Sequence, residues 1–478
     1  MAAKTTGVPE KTRWADLFRG GLARYTITLN LGVLLFGTDV YLIQSIMPTV
    51  IADVGGMQFY TWTLISFSVG SIIGTSSAEP IRRTLGRRSG YALAGLVFLV
   101  GTMGAAMSGS IVALISWRLI QGLGGGSVIS QCYGMIGEVI PANLRARALS
   151  FISATWGIAT ILGPTFGGVF AELGFWRGAF WAVVPLAVIF IFMVWRFVPA
   201  GRIGSQMSDK ARTMPVARLA MIAAAIICLS VSSQFDSMAA RSGMVILSLA
   251  VTVYFFSRDG RAENKMFPSQ ALSLFAKLGA TYWILLIISV VHTVIGAFAT
   301  LFLQLLHVQT PLVAAFIFAL TSFLWTVAAV VVGGLQGRAV AVSISVGLGL
   351  LFAGAIGTAL FVITGPVWLL GLSFTLVGVG TGMSYNHLVV WAINAAPKEE
   401  QPMTASATAT MRALGIAYGA AIAGFLGAAA GLKDGVPTAI FEGAMHVVYN
   451  SNIAIAAAAV MAGLILWKHM RRDRLLAG

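Results

Sequence analysis

The chain has 478 residues, of which 58% are hydrophobic and only 10% charged, and its mean hydropathy is +0.88. Soluble globular domains carry about 25% charged and about 45–50% apolar residues. Composition therefore excludes a water-soluble enzyme, a disordered scaffold and a disulfide-stapled secreted domain. The net charge of +15 would point to nucleic acid in a soluble chain, whereas in a membrane chain Lys and Arg collect on cytoplasmic loops.

Residues 1–24 are polar and basic and read as a cytoplasmic N-terminal segment, without the pattern of a cleavable signal. Trp14–Phe18, flanked by Arg13 and Arg19, reads as a basic anchor, with a surface-lying amphipathic helix as the alternative. About 20 apolar residues in a helix cross a hydrocarbon core of about 30 Å. Runs of this kind occur at 25–51, 60–81, 89–109, 111–136, 147–171, 176–198, 216–235, 242–257, 279–306, 311–334, 339–362, 366–394, 402–430 and 446–468. Only helices or closed barrels satisfy their backbone in lipid, and runs this long are helices. The eighth is the shortest, ending at Ser257-Arg258-Asp259. Cys132 and Cys228 both lie inside apolar runs, so no disulfide framework is expected.

Charge placement sets the expected topology. With the N-terminus cytoplasmic, Arg177, Arg241 and Lys433 fall outside and Arg118 and Arg412 fall within spans, leaving 26 of the 31 Lys and Arg on cytoplasmic segments. Both termini are therefore expected inside, and nucleic acid is not an expected partner. The expected fold class is an all-α integral membrane protein with fourteen spans. Residues 25–198 form one six-helix bundle and 279–468 a second. Between them, 199–278 hold an inserted helix pair and two charged linkers, the first with Arg202, Lys210, Arg212 and Arg218; 469–478 form a cytoplasmic tail. A six, two, six layout suggests a duplicated transporter. A weak internal echo is Gly86-Arg87 after the second helix and Gly337-Arg338 after the tenth.

An ionised group in mid-membrane costs about 2.5–3.5 kcal/mol on insertion scales and marks function by default. Asp39, about 21 Å into the first span, is the deep carboxylate, and Arg118 in the fourth lies at a similar depth of about 22–24 Å. Such charges can pair. A carboxylate titrates low beside an Arg and high when desolvated without it, the property that proton coupling requires; a static ion pair is the other reading. The fifth span carries Gly157, Gly163, Pro164, Gly167 and Gly168, and the fourth Gly122, Gly124, Gly125 and Gly126. Proline interrupts helix hydrogen bonding and glycine admits a close neighbour, so the two runs read as a pivot or as small-residue packing. Other polar groups in spans are Gln44, Gln121, Gln131, His292, Gln304, Asn386, His387, Asn394 and Arg412. Gln44, Gln121, His292 and Gln304 are the candidates for a substrate cavity. No phosphate-binding Gly-rich loop or metal-spaced His/Cys set occurs. Neither a metal, a cofactor nor enzyme chemistry is expected.

Several of these residues together resemble the major facilitator superfamily, specifically its fourteen-span drug:proton antiporter branch. The first span matches with Asp39, Gln44 and Pro48, and Trp62 opens the second. The fourth matches with Arg118, Gln121 and Gly122. The antiporter motif of the fifth matches with Gly163, Pro164, Gly167 and Gly168, although its leading glycine is Ala159 here. Trp176, Arg177, Phe180 and Pro185 resemble the entry to the sixth, and Arg412 with Gly415 resembles the thirteenth. One motif departs. In the cytoplasmic gate loop, aligned on Gly86, Arg87 and Arg88, the family's leading Gly is Glu79 and its Asp is Arg83.

The resemblance implies the major facilitator fold, two six-helix bundles rocking about a central substrate site, with the proton gradient as energy source. Asp39 and Arg118 would couple protons, and Gly163, Pro164, Gly167 and Gly168 would form the pivot. The expected function is proton-driven antiport exporting small amphipathic organic compounds, a multidrug or metabolite efflux protein of the inner or plasma membrane, monomeric in the bilayer. Two alternatives stand beside it: proton-coupled import of a siderophore-like or other small metabolite, and a non-transporting membrane enzyme or receptor on the same fold.

Overall fold

A computed structural model describes residues 13–201 and 216–477 apart from 236, 263, 264, 269 and 272. Arg202, Lys210 and Arg212 of the first linker lie outside the described residues. Fourteen long helices are present, with no strand among the described residues. They are α1 (Leu22–Val54), α2 (Trp62–Leu85), α3 (Arg87–Ala106), α4 (Ile111–Val139), α5 (Arg145–Glu172), α6 (Trp176–Phe197) and α7 (Val216–Val231), followed by α8 (Met238–Gly260), α9 (Lys277–Leu305), α10 (Pro311–Val332), α11 (Arg338–Phe361), α12 (Val367–Ala395), α13 (Gln401–Ala429) and α14 (Thr438–Ala477). Thirteen of the described helices are long and apolar enough to cross a membrane, and the chain is an integral multi-pass membrane protein. The exception is α2, whose last two turns carry Glu79, Arg82 and Arg83.

Local chemistry explains several boundaries. Gly86, at φ +87°, separates α2 from α3 in a conformation that disfavours a Cβ. Ser110 caps α4 by accepting from Ala113 N at 3.2 Å, and Thr310 does the same for α10 from Val313 N at 3.4 Å. Pro311 follows at the first helical position, where its missing N–H costs nothing. Two boundaries differ from expectation. Helix α8 is longer than the apolar run 242–257, because Arg258 and Asp259 continue the helix and Asp259 is buried against Arg218 at 2.5 Å. Helix α14 runs on through most of the expected tail 469–478.

The Trp14–Phe18 segment is a single 3-10 turn docked on protein. Leu17 is buried, its carbonyl accepts from Thr26 Oγ1 at 3.1 Å, and Phe18 meets Phe151 edge-on at 5.6 Å.

The packing repeats. In the first bundle α1 packs on α5 and α6, α2 on α4, and α3 on α4 and α6; in the second α9 packs on α13 and α14, α10 on α12, and α11 on α12 and α14. Adding eight to each number in the first set gives the second. Glycines show why the paired helices come so close. A Cβ on Gly163 of α5 would stand 2.5 Å from Tyr41 Cβ and 2.8 Å from Thr38 O of α1, and one on Gly167 2.6 Å from Ser45 Cβ. On α13, Gly415 would meet Ser289 Cβ at 2.5 Å and Leu286 O at 2.7 Å of α9, and Gly419 would meet Thr293 Cβ at 2.8 Å. Both pairs are four residues apart, one helical turn, so each forms a groove for the facing helix.

Helices α7 and α8 stand outside this repeat and lie at a seam. Helix α7 contacts both α2 and α13; its Leu219, Ile222 and Ile226 face Val69, Ile72 and Ile73 of α2. On the α13 side, Thr252 of α8 and Tyr418 share a hydrogen bond at 2.6 Å. Elsewhere on α8, Ile246, Leu249 and Val253 are exposed.

Candidate functional site

The end of the bundle that carries the first and last described residues is the terminal face; the other is the opposite face. Between them, α1, α3 and α4 bring together a closed polar cluster. Arg118 Nη1 donates to Asp39 Oδ2 at 2.6 Å and to Gln121 Oε1 at 2.6 Å. Gln121 Nε2 donates to Asp39 Oδ1 at 2.7 Å and to Thr102 Oγ1 at 2.9 Å. Arg118, Asp39 and Gln121 are all fully buried. Three residues separate Arg118 from Gln121, which puts both on the face of α4 that meets Asp39. The remaining guanidinium nitrogens of Arg118, Nε and Nη2, have no hydrogen-bond partner; the charge lies over the Phe67 ring at 4.2 Å, a favourable cation–π placement.

The consequence is chemical. Both carboxylate oxygens of Asp39 are occupied, and a proton on either would remove the charge that holds Arg118 in place. Gln121 Oε1 would still accept from Arg118, so the guanidinium has a second resting partner. Gln121, expected on a cavity wall, instead sits inside this cluster. The pairing of Asp39 with Arg118 is the geometry expected from their depths.

The glycine motif of α5 lies directly against this segment of α1, with Gly163 on Thr38 and Tyr41, the residues flanking Asp39 and Val40. At the position where the motif's first glycine is Ala159, the small residue has moved to the partner: Gly37 of α1 faces the Ala159 Cβ, and a Cβ on Gly37 would approach it to 2.8 Å. Gly168 faces the other bundle, where a Cβ would meet Leu312 Cα of α10 at 2.7 Å. Pro164 lies inside the continuous helix.

At the terminal face the segment joining α2 and α3 holds its own ion network. Glu79 pairs with Arg82 at 2.6 Å and Arg83 at 2.7 Å, while Glu138 at the end of α4 pairs with Arg82 at 2.7 Å and Arg87 at 2.9 Å. Arg88 Nε donates to Val198 O at 2.8 Å. The acid that the loop lacks at Arg83 is thus supplied from two sides. Glu79 stands out in the sequence at the motif position, whereas the one signal of Glu138 is an isolated carboxylate at a helix end facing a basic loop. All of these contacts stay within the first bundle.

The other cavity candidates are dispersed. Gln44 Nε2 donates to Val40 O at 3.3 Å and its Oε1 has no partner. Gln304 Nε2 is likewise buried without a partner. His292 stands 5.4 Å from Trp325 and 6.4 Å from Phe318, with Nδ1 unpartnered.

Several hydrogen bonds join the two bundles directly in the half nearer the opposite face. Asp434 accepts from Gly56 N at 2.9 Å and Met57 N at 3.0 Å; Glu172 Oε1 accepts from Leu312 N at 3.3 Å; Gln44 O accepts from Thr300 Oγ1 at 2.6 Å. Tyr60 and Phe298 stack across the same region at 5.2 Å.

Residues 29–420 match the Major Facilitator Superfamily. A probable multidrug-efflux transporter of Mycobacterium tuberculosis is 29% identical over 99% of each chain. The multidrug resistance protein Stp of the same organism is 25% identical over 83% of this chain and 74% of its own. Among solved structures, a peptide transporter superposes with a TM-score of 0.67 at 17% identity over 94% of each chain. A D-xylose-proton symporter gives 0.65 at 17% identity, covering 94% of this chain and 98% of its own. At that identity these two likenesses speak for the fold alone.

Proposed function

The chain belongs to the major facilitator superfamily, and from that premise we propose that it is a proton-coupled secondary transporter that exports small amphipathic organic compounds, in the manner of the fourteen-span drug:proton antiporters. The observation that carries the proposal is the buried Asp39–Arg118–Gln121 cluster. A carboxylate with one charged and one neutral partner, at the depth of the bilayer centre, changes its proton affinity when either partner moves. The proton gradient supplies the energy, with no bound cofactor.

In this reading Asp39 carries the proton and Arg118 sets how readily it leaves. Gly163, Pro164, Gly167 and Gly168 let α5 slide or bend against α1 and α10. Gln44, His292 and Gln304, each with an unsatisfied polar atom, line the path, and Gln121 acts through Asp39. Glu79, Arg83, Gly86, Arg87 and Arg88 hold the inner loop. The protein works as a monomer in the inner or plasma membrane, with the terminal face cytoplasmic. Export is supported by what the mycobacterial relatives are called. Import is the second reading, since the fold, which a D-xylose-proton symporter also has, does not by itself set direction.

Everted vesicles acidified inside by respiration provide the test. Lipophilic cations, neutral drugs and organic anions are added and the pH gradient is followed optically. Collapse with the wild type and none with Asp39→Asn is expected. Undiminished collapse with normally expressed Asp39→Asn sinks the coupling role. Accumulation of the same labelled compound in intact cells fixes direction: lower with the protein means export, higher means import.

A further inference from the structure

Arg412, in the middle of α13, is a second deep guanidinium, and its surroundings differ from those of Arg118. Eleven residues separate it from Gln401 at the start of the helix, about 16 Å from the terminal face. It forms no ion pair and no hydrogen bond among the described residues. It is held by rings: Trp325 of α10 at 5.1 Å, Trp156 of α5 at 5.7 Å and Tyr385 of α12 at 6.0 Å. Tyr133 extends this wall through a 3.4 Å hydrogen bond from Trp156 Nε1, and the His292 ring meets Trp325 at 5.4 Å. Arg412, Trp156, Trp325 and His292 all retain partial exposure despite their depth.

A guanidinium has five N–H donors, and aromatic faces accept its charge without accepting those hydrogens in directed bonds. Its donor fork matches the two oxygens of a carboxylate or sulfonate. The flat indole walls beside it suit an apolar or aromatic body. The deep carboxylate offers no competing site for a cation, because Asp39 is fully buried with both oxygens engaged. Among the described residues, the middle of the transmembrane interior thus holds one compensated charge pair, Asp39 with Arg118, and one uncompensated positive charge, Arg412.

We propose that Arg412, with Trp156, Trp325 and Tyr385, is the recognition site for the anionic group of an amphipathic organic acid, so that the compounds carried are organic anions. The site includes Trp156 from the first bundle and Arg412, Trp325 and Tyr385 from the second, so an occupant touches both halves. This rests on reading the chain as a carrier of small organic compounds and narrows what it carries.

Binding to the purified full-length protein in detergent is measured by titration calorimetry, with empty micelles as blank. The probes are 2-naphthoate, 2-naphthalenesulfonate, neutral 2-naphthamide and cationic 2-naphthylmethylammonium. The two anions are expected to bind at least about tenfold more tightly than the amide or the ammonium, the scale of a charge-assisted hydrogen bond. Arg412→Gln removes that preference and Arg412→Lys keeps part of it, while Trp325→Leu weakens anion and amide alike. Equal binding of all four probes by the wild type, or no binding of either anion, overturns the proposal. So does an anion preference that survives Arg412→Gln. The carrier reading fails separately: in proteoliposomes, 2-naphthoate that binds with this selectivity and moves neither itself nor protons leaves the anion site standing and removes the transport assignment.

Discussion

The two bundles share one packing plan and carry opposite kinds of interior charge. In the first, Arg118 meets a carboxylate, an amide and a ring, and its charge is compensated inside the protein. In the second, Arg412 meets rings alone among the described residues, with partners drawn from both halves. The alignment of glycine grooves makes the contrast sharper. Gly163 with Gly167 and Gly415 with Gly419 occupy equivalent places, yet the helix each pair rests on carries Asp39 in one case and no acid in the other. The two halves share the frame, and the charges sit on it asymmetrically.

Stability separates the two arginines most strongly. Arg118→Leu leaves Asp39 buried without its ion partner, and a loss of about 3–5 kcal/mol is expected. The double change Arg118→Leu with Asp39→Leu restores most of it. Arg412→Gln removes no ion pair, only the placement of a cation over three rings, and a loss of about 1–2 kcal/mol is expected. Thermal unfolding in detergent measures all three, and equal losses at the two arginines would break the contrast.

The frame itself is tested next. Gly163→Ala and Gly415→Ala each force a Cβ against a facing helix, and each is expected to lose about 1–3 kcal/mol, the usual cost of overpacking. A large loss at one and none at the other would show that the repeat is one of outline only. The smallest effect is at the terminal face, where Glu138→Gln removes a partner from Arg82 and Arg87. A loss of about 1 kcal/mol or less, shrinking further in high salt, is expected for a partly exposed pair.

Much of this was legible in the sequence for a simple reason: lipid tolerates few exceptions. Fourteen apolar runs could only be helices, and two charges at matching depth had strong reason to meet. The role of Gln121 was not legible, since an amide three residues after an arginine could face either partner or cavity. Glu138 was hidden because a carboxylate at a membrane boundary costs little and so attracts no notice. The surroundings of Arg412 come from α5, α10 and α12, far apart in the chain, and no spacing rule links them. The place of α7 and α8 was equally invisible, because removing the pair leaves every other loop on the same side.

That helix pair has one further consequence. The bundles meet along two flanks, α2 with α13 and α5 with α10. Helix α7 covers the first, while among the described residues no additional helix covers the second. The perimeter seen by the bilayer is therefore lopsided. Lateral pressure from the acyl chains bears directly on one flank and reaches the other only through a cushion of protein.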